Sequence, residues 1–318
     1  MIEVKDLVKK YGSHLAVDHL SFTLESGKIY GFLGPNGAGK STTMNIMTGY
    51  LGATNGSVLI DGHDILKEPE EAKKHIGYLP ELPPLYMDMT VQEYLEFAAE
   101  LKKLPKEKRE SDISEVMKLT RLQDVSDRLI KNLSKGYKQR VGLAQAILGF
   151  PEIIILDEPT VGLDPKQIIE IRELIRTLSK KHTVILSSHI LAEVREVCDY
   201  ILIISKGKLV ASDTPENLEL LRNGASSLEL EVKAAPETAR AILSTIDDID
   251  AMEMHSENEN HTRVKLETKN GADIREAVFY AFAEEKCPLL EMKTAKASLE
   301  DIFMELTQKE ESNDAGNL

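Results

Sequence analysis

The chain has 318 residues, 42% of them hydrophobic, with no Trp, two cysteines and a formal net charge of −14. That length accommodates one large domain and a small one. The acidic balance argues against a nucleic-acid face, which needs basic stripes, and against adhesion to an anionic leaflet. No window approaches the roughly 20 apolar residues that span a bilayer, and Met1 to Asp6 lacks the apolar core of a signal peptide. A soluble chain is expected, one whose membrane role would need a partner. Cys198 and Cys287 lie far apart without metal-ligand spacing. They are expected as buried apolar residues rather than a disulfide, as in a reducing compartment.

In chain order, residues 2–24 alternate as β structure, and Tyr11 falls on a charged turn within them. Lys28 to Leu33 reads as a buried strand and Thr42 to Thr48 as the start of a helix. Between them stands Gly34-Pro35-Asn36-Gly37-Ala38-Gly39-Lys40-Ser41, the pattern G-x-x-x-x-G-K-[ST] in the strand–loop–helix context that confirms it. Ser57 to Ile60 with Asp61-Gly62 reads as a strand entering a hairpin, and Ile76 to Leu79 as a strand ended by Pro80. Thr90-Val91-Gln92-Glu93 is a capping box opening a helix to about Lys103. Pro105 breaks that helix, and another covers Lys106 to Leu119. Residues 90–133 form a helical insert.

A further helix follows Leu133-Ser134-Lys135-Gly136-Tyr137 and is expected to run to about Phe150, with Pro151 ending it. The apolar run Ile153 to Leu156 reads as a strand buried on both faces, ending in Asp157-Glu158. A helix over Pro165 to Leu178 and a buried strand over Thr183 to Leu186 come next. Ser187-Ser188-His189 follow that strand directly. Buried strands alternating with helices indicate a mainly parallel sheet. The character changes near Asn223-Gly224-Ala225. From there the order is strand, helix, strand, strand, helix, strand, a ferredoxin-like β-α-β-β-α-β pattern closed by a short helix over Leu299 to Leu306. The expected domains are residues 1–222 and 226–307, with a disordered polar tail over 308–318.

The loop chemistry points to a nucleoside triphosphate. Glycines let backbone N–H groups turn around phosphate, and the helix N-terminus adds its positive end. Lys40 supplies a cation and Ser41 a hydroxyl for Mg2+. Asp157 stands at a strand C-terminal edge, where ligands of open α/β sheets sit, and is placed to bind Mg2+ through a coordinated water. Glu158 points elsewhere and is a candidate proton acceptor for an attacking water. His189, past the next strand, is a candidate for contacting the terminal phosphate. For Tyr11 two readings stand: a ring stacked on a base, or a surface tyrosine of a hairpin. For Ser134 to Gly136 two readings also stand: a simple N-cap, or an anion site for a phosphate held by a second copy.

Together these residues resemble an ATP-binding-cassette (ABC) transporter ATPase subunit. Gly34 to Ser41 resembles Walker A, and Leu133 to Tyr137 with Lys138-Gln139-Arg140 the family signature. Ile153 to Glu158 resembles Walker B with its catalytic glutamate, Gly162-Leu163-Asp164 the D-loop, and His189 the switch histidine. The resemblance covers residues 1 to about 220. The remainder resembles the extra C-terminal domain of some bacterial export-type cassettes.

The family resemblance implies an α/β P-loop cassette: a mainly parallel core sheet, an antiparallel β N-terminal part and the helical insert. A small α+β ferredoxin-like domain comes after it. It also implies ATP and Mg2+, a head-to-tail homodimer (or paired cassette) with ATP at the interface, and a transmembrane permease subunit. The protein would be peripheral, at the cytoplasmic face of the cell membrane. ATP would be held by Tyr11, Gly34, Asn36, Gly37, Ala38, Gly39, Lys40, Ser41, Thr42, Ser134, Gly136 and Asp164. Glu158, His189 and Lys40 would be catalytic; Ser41, Glu81 and Asp157 would hold Mg2+. Glu81 stands in place of the usual Q-loop glutamine and Lys135 in place of the first signature glycine. A carboxylate can still bind Mg2+. Lys135 either supplements the charge on the opposing phosphate or faces solvent, the second being favoured. The rival readings are a soluble cassette ATPase with a non-membrane partner and a nucleotide-gated regulator without turnover.

Overall fold

A computed structural model describes residues 1–220, 227–258, 260–269 and 272–295. The expected helix over Leu299 to Leu306 and the tail over 308–318 lie outside the described residues. The chain divides into two compact units, Met1–Thr214 and a second beginning at Pro215. The division thus falls before the composition change near Asn223, because the helix Pro215–Leu220 groups with the second unit rather than the first.

The first unit opens with two long strands, β1 (Ile2–Tyr11) and β2 (His14–Leu24). They join β4 (Asn55–Ile60) and β5 (His63–Asp64) in an antiparallel sheet of order β2-β1-β4-β5. The core sheet contains β3 (Ile29–Leu33), β6 (Ile76–Leu79), β7 (Ile153–Leu156), β8 (Thr183–Ser188), β9 (Tyr200–Ser205) and β10 (Lys208–Asp213). Its order is β10-β9-β3-β8-β7-β6, parallel throughout except for the β9–β10 hairpin. Strands β3, β7 and β8 are buried at every residue, as strands covered on both faces of a parallel sheet are.

Seven helices connect these strands: α1 (Lys40–Met47), α2 (Pro69–Lys74), α3 (Val91–Leu101), α4 (Lys106–Leu119), α5 (Lys135–Ile147), α6 (Pro165–Leu178) and α7 (Leu191–Val197). The capping box of α3 is present: Glu93 N–H donates to Thr90 Oγ1, and Thr90 N–H donates to the Glu93 carboxylate at 2.8 Å. Helix α6 starts at Pro165 behind the N-cap Asp164 and buries Ile171, Leu174, Ile175 and Leu178. That i, i+3, i+4, i+7 spacing is one apolar stripe.

One boundary differs from expectation. Helix α5 stops at Ile147, three residues short of Phe150, and Gly149 and Phe150 both have positive φ. Lys102 ends it from a distance: its Nζ donates to Ala146 O at 3.1 Å and Leu148 O at 2.8 Å. The local sequence, with Pro151 as the obvious stop, does not reveal that tether. Burial pulls the Lys102 pKa down from 10.5 to about 8. A lysine whose folded pKa is depressed binds fewer protons folded than unfolded between those two values, so stability gains with rising pH there. Measured against a Lys102→Met variant, the unfolding free energy should rise by up to about 3 kcal/mol from pH 8 to pH 10.5. A flat difference across that window in denaturant titrations would show that Lys102 is charged in both states.

The second unit contains α8 (Pro215–Leu220), β11 (Ser227–Val232), α9 (Pro236–Leu243), β12 (Ile249–Asn258), β13 (His261–Thr268), α10 (Arg275–Glu284) and β14 (Leu289–Ala295). After α8 the order is β-α-β-β-α-β, and the strands form an antiparallel sheet ordered β12-β13-β11-β14. Leu228, Leu230, Val264 and Leu266 on one face are packed with Leu243, Val278 and Phe282 of the helices. Both cysteines are free, Cys198 buried and Cys287 half-buried.

Candidate functional site: a phosphate loop at the edge of the core sheet

The glycine loop links the C-terminal end of β3 to α1. Gly39 caps α1 with φ 103° and no side-chain bond, and no acid occupies the first turn. The first N–H groups of α1 therefore keep their donors for an outside anion, which the helix dipole also favours. Lys40 is buried, its Nζ donating to Gly34 O at 2.7 Å and Pro35 O at 3.2 Å, 3.8 Å from Glu158 Oε1. Burial lowers its pKa; Glu158, then Asp157 and Glu81, oppose that shift.

Walker A and Walker B strands are not neighbours. Strand β8 lies between β3 and β7, so its end meets both. This explains a residue the sequence reading did not single out. The strand over Thr183 to Leu186 continues through Ser187 and Ser188. Ser187 Oγ donates to Asp157 Oδ1 at 2.6 Å and accepts the Glu158 N–H at 2.8 Å. Ser41 Oγ donates to the same Asp157 oxygen at 3.1 Å. Glu158 has φ 47°, in the left-handed region that non-glycine residues seldom enter. The turn sends its carboxylate away from Asp157, to within 3.0 Å of His189 Nδ1.

A cleft of about 510 Å³ joins these groups: Tyr11, the loop from Asn36 to Thr42, Glu81, Glu158 and His189 line it. His14, Ala16 and Val161 also line it and were not foreseen. Tyr11 ends β1, half-exposed, with Lys9 Nζ 5.2 Å from its ring centroid. Gly34 lies behind the cleft and takes part through its carbonyl. Asp157 is buried beside it and lines a second groove of about 750 Å³, to which Ser41 and Glu81 also belong. Tyr50 and Leu82, 82% and 81% exposed, stand on that groove. Tyr78, donating to Asn45 Oδ1 at 2.9 Å, forms its wall.

Ser134, Gly136 and Asp164 do not line the cleft within this chain. Ser134 caps α5 through the Tyr137 N–H, and Asp164 caps α6 through the Gln167 N–H at 2.9 Å. Gly136 packs on the Gln167 side chain. Arg140 pairs with Glu170 of α6 and donates to Thr120 O at 3.1 Å, joining both helices to the end of α4. Lys135 is solvent-exposed, yet its ammonium rests on Gly162 of the D-loop turn, so the expectation of a side chain simply facing solvent needs that correction.

The hydroxyl of Ser41 and the carboxylates of Asp157 and Glu81 are hard oxygen donors of the kind Mg2+ takes, so the residues fit that ion. Among the described residues no three His, Cys, Asp or Glu side chains gather into a metal site. The ion would share its coordination with substrate phosphates, as Mg2+ ordinarily does.

Fold and cleft define a P-loop nucleoside triphosphatase cassette. A family model described as ABC transporter matches residues 17–161. The chain is 37% identical over 316 residues to the ABC transporter ATP-binding protein YhcH of Bacillus subtilis (strain 168), covering 96% of each chain. It is 35% identical over 308 residues to the bacitracin transport ATP-binding protein BcrA of Bacillus licheniformis, covering 96% of this chain and 97% of that one. Among solved structures it resembles the dimeric post-hydrolysis state of the ATP-binding cassette MJ0796 bound to ADP and Pi. The TM-score there is 0.62 at 26% identity, over 67% of this chain and 98% of the other. The chain belongs to the ABC transporter ATP-binding proteins and is an ATPase of that family.

Proposed function

We propose that this chain is the motor subunit of an exporter, working as a head-to-tail pair beneath a separate transmembrane permease at the cytoplasmic face of the membrane. The observation that carries the reading is the joint lining of cleft and groove. Ser41 and Glu81 border both the phosphate loop and the groove on which Tyr50 and Leu82 stand exposed. A partner element seated in that groove would register a change at the triphosphate through Glu81. Exposed apolar side chains at a groove mark a protein contact. Among the described residues no helix is long and apolar enough to cross a membrane, so the transport path belongs to that partner. Export is supported by the relatives named for bacitracin transport and multidrug transport.

In this reading Lys40 and the backbone of residues 37–41 hold the phosphates, and Tyr11 stacks on the base. Ser41, Asp157 and Glu81 hold Mg2+, which would supply charge neutralisation at the phosphates. Ser134, Gly136 and Asp164 act across the dimer on the partner's nucleotide. Glu158 takes the proton of water as its oxygen attacks the γ-phosphorus; the bond to the β–γ bridging oxygen breaks, giving ADP and phosphate. His189, against the same carboxylate, positions it. The C-terminal unit serves as a dimer contact or regulator rather than a second catalytic site.

The test is the groove. Leu82→Asp should abolish co-purification with a polytopic membrane protein from detergent-solubilised membranes, read by mass spectrometry, while ATP binding by the purified chain is unchanged. Recovery of ribosomes or another soluble assembly with the unaltered chain, and no membrane protein, would favour the soluble rival.

A further inference from the structure

The C-terminal sheet has an open face whose charges are arranged about its midline. Along β11 and β13 buried apolar residues alternate with charged ones, so the charged set projects opposite the helices. The register places Lys293, Glu229, Lys265 and Glu253 in one row across β14, β11, β13 and β12. The next row reads Glu291, Glu231, Arg263 and His255. These eight residues border a recess of about 410 Å³.

Turn a second copy over about a two-fold axis that runs along the strands, midway between β11 and β13. This operation exchanges β11 with β13 and β14 with β12 at equal height. Glu229 then faces Lys265, Lys293 faces Glu253, Glu231 faces Arg263, and Glu291 faces His255. Within these two rows every carboxylate meets a base. The inner pairs are already neighbours within one sheet, Glu231 and Arg263 at 3.7 Å, and cross-strand pairing explains them. The outer pairs are not. Lys293 and Glu253 lie on opposite edge strands, three interstrand steps or roughly 14 Å apart, and cross-strand pairing through Glu229 and Lys265 already alternates their signs. The second row differs: Glu291 beside Glu231 and Arg263 beside His255 are like-signed neighbours within one copy, and the turned copy opposes each with the other sign.

The geometry points to a homodimer contact: the open face of the C-terminal sheet stacks on the same face of a second copy about this axis. Two sheets face to face in this way are an isologous interface, self-complementary by symmetry. The occupant is a second copy of this chain because the sign pattern matches its own reverse. The assignment rests on the dimer-contact role given above to the C-terminal unit, and it needs no nucleotide.

The experiment uses the full chain without nucleotide at low ionic strength, followed by sedimentation velocity. The unaltered chain should self-associate, and added salt should weaken it. Lys293→Glu and Glu253→Lys should each weaken self-association about tenfold or more, because like charges then face each other twice per dimer. Mixed in equal amounts, the two variants should associate as tightly as the unaltered chain, since each then presents the sign its partner lacks. Both positions are exposed, so circular dichroism should show the fold intact. A chain that stays monomeric without nucleotide would remove both the contact and the dimer role of this unit. A nucleotide-free dimer indifferent to both variants, or a mixture that fails to recover, would keep a dimer role and overturn this surface. None of these outcomes depends on the ATP-bound dimer.

Discussion

Glu158→Gln leaves ATP bound, lowers turnover by about a hundredfold or more, and accumulates an ATP-bound dimer. The substitution keeps size and hydrogen-bonding reach, so His189 Nδ1, now 3.0 Å from a Glu158 oxygen, retains an acceptor. What disappears is the basic oxygen. Glu158 is held for that task by more than its own preference: φ 47° turns it out of the strand, and its N–H is fixed on Ser187 Oγ. Loss of its charge also removes the anion 3.8 Å from the buried Lys40, leaving that ammonium free for phosphate. Phosphate-release rates, ATP titration calorimetry and sedimentation with ATP give the three readouts. Undiminished turnover would take Glu158 out of its role. A variant that remained monomeric with saturating ATP and the permease present would sink the sandwiched-nucleotide reading.

Gly34→Ala and Gly37→Ala should differ sharply although both lie in one loop. A Cβ on Gly34 would sit 2.2 Å from the carbonyl oxygen of Ile204. That carbonyl belongs to β9, which is paired on both sides, with β3 and β10, so it cannot retreat without disturbing the sheet. The expected cost is about 3 kcal/mol, and ATP affinity should fall as well, because Gly34 O anchors Lys40. Gly37 has φ 81° with nothing within 4 Å of an added Cβ. There only the left-handed backbone is penalised, by about 1 kcal/mol. Denaturant unfolding checks the ranking; equal midpoints for the two variants would mean the approach of the loop to β9 is looser than this.

Much of the site could be read from residues adjacent in the chain. The phosphate loop is one contiguous run whose glycines, lysine and helix start all lie within nine residues. Asp157 and Glu158 follow an unmistakably buried strand, and His189 follows another. What could not be read depends on strand order. Nothing local says that β8 lies between β3 and β7, and therefore nothing local recruits Ser187 to join Asp157 with Glu158. The same holds for Lys102, 44 residues from the carbonyl of Ala146 that it caps, and for Lys135 lying on Gly162.

By itself the sequence determined most of the longer elements, the phosphate loop, the pair of acids and the β-α-β-β-α-β order of the C-terminal unit. These depend on short-range periodicity, turn chemistry and steric freedom at glycine. Tertiary structure alone decided which strand ends meet, that cleft and groove share Ser41 and Glu81, and which charges align in rows across the C-terminal sheet. Those outcomes arise from sheet order and register, which are set by burial of side chains far apart in the chain.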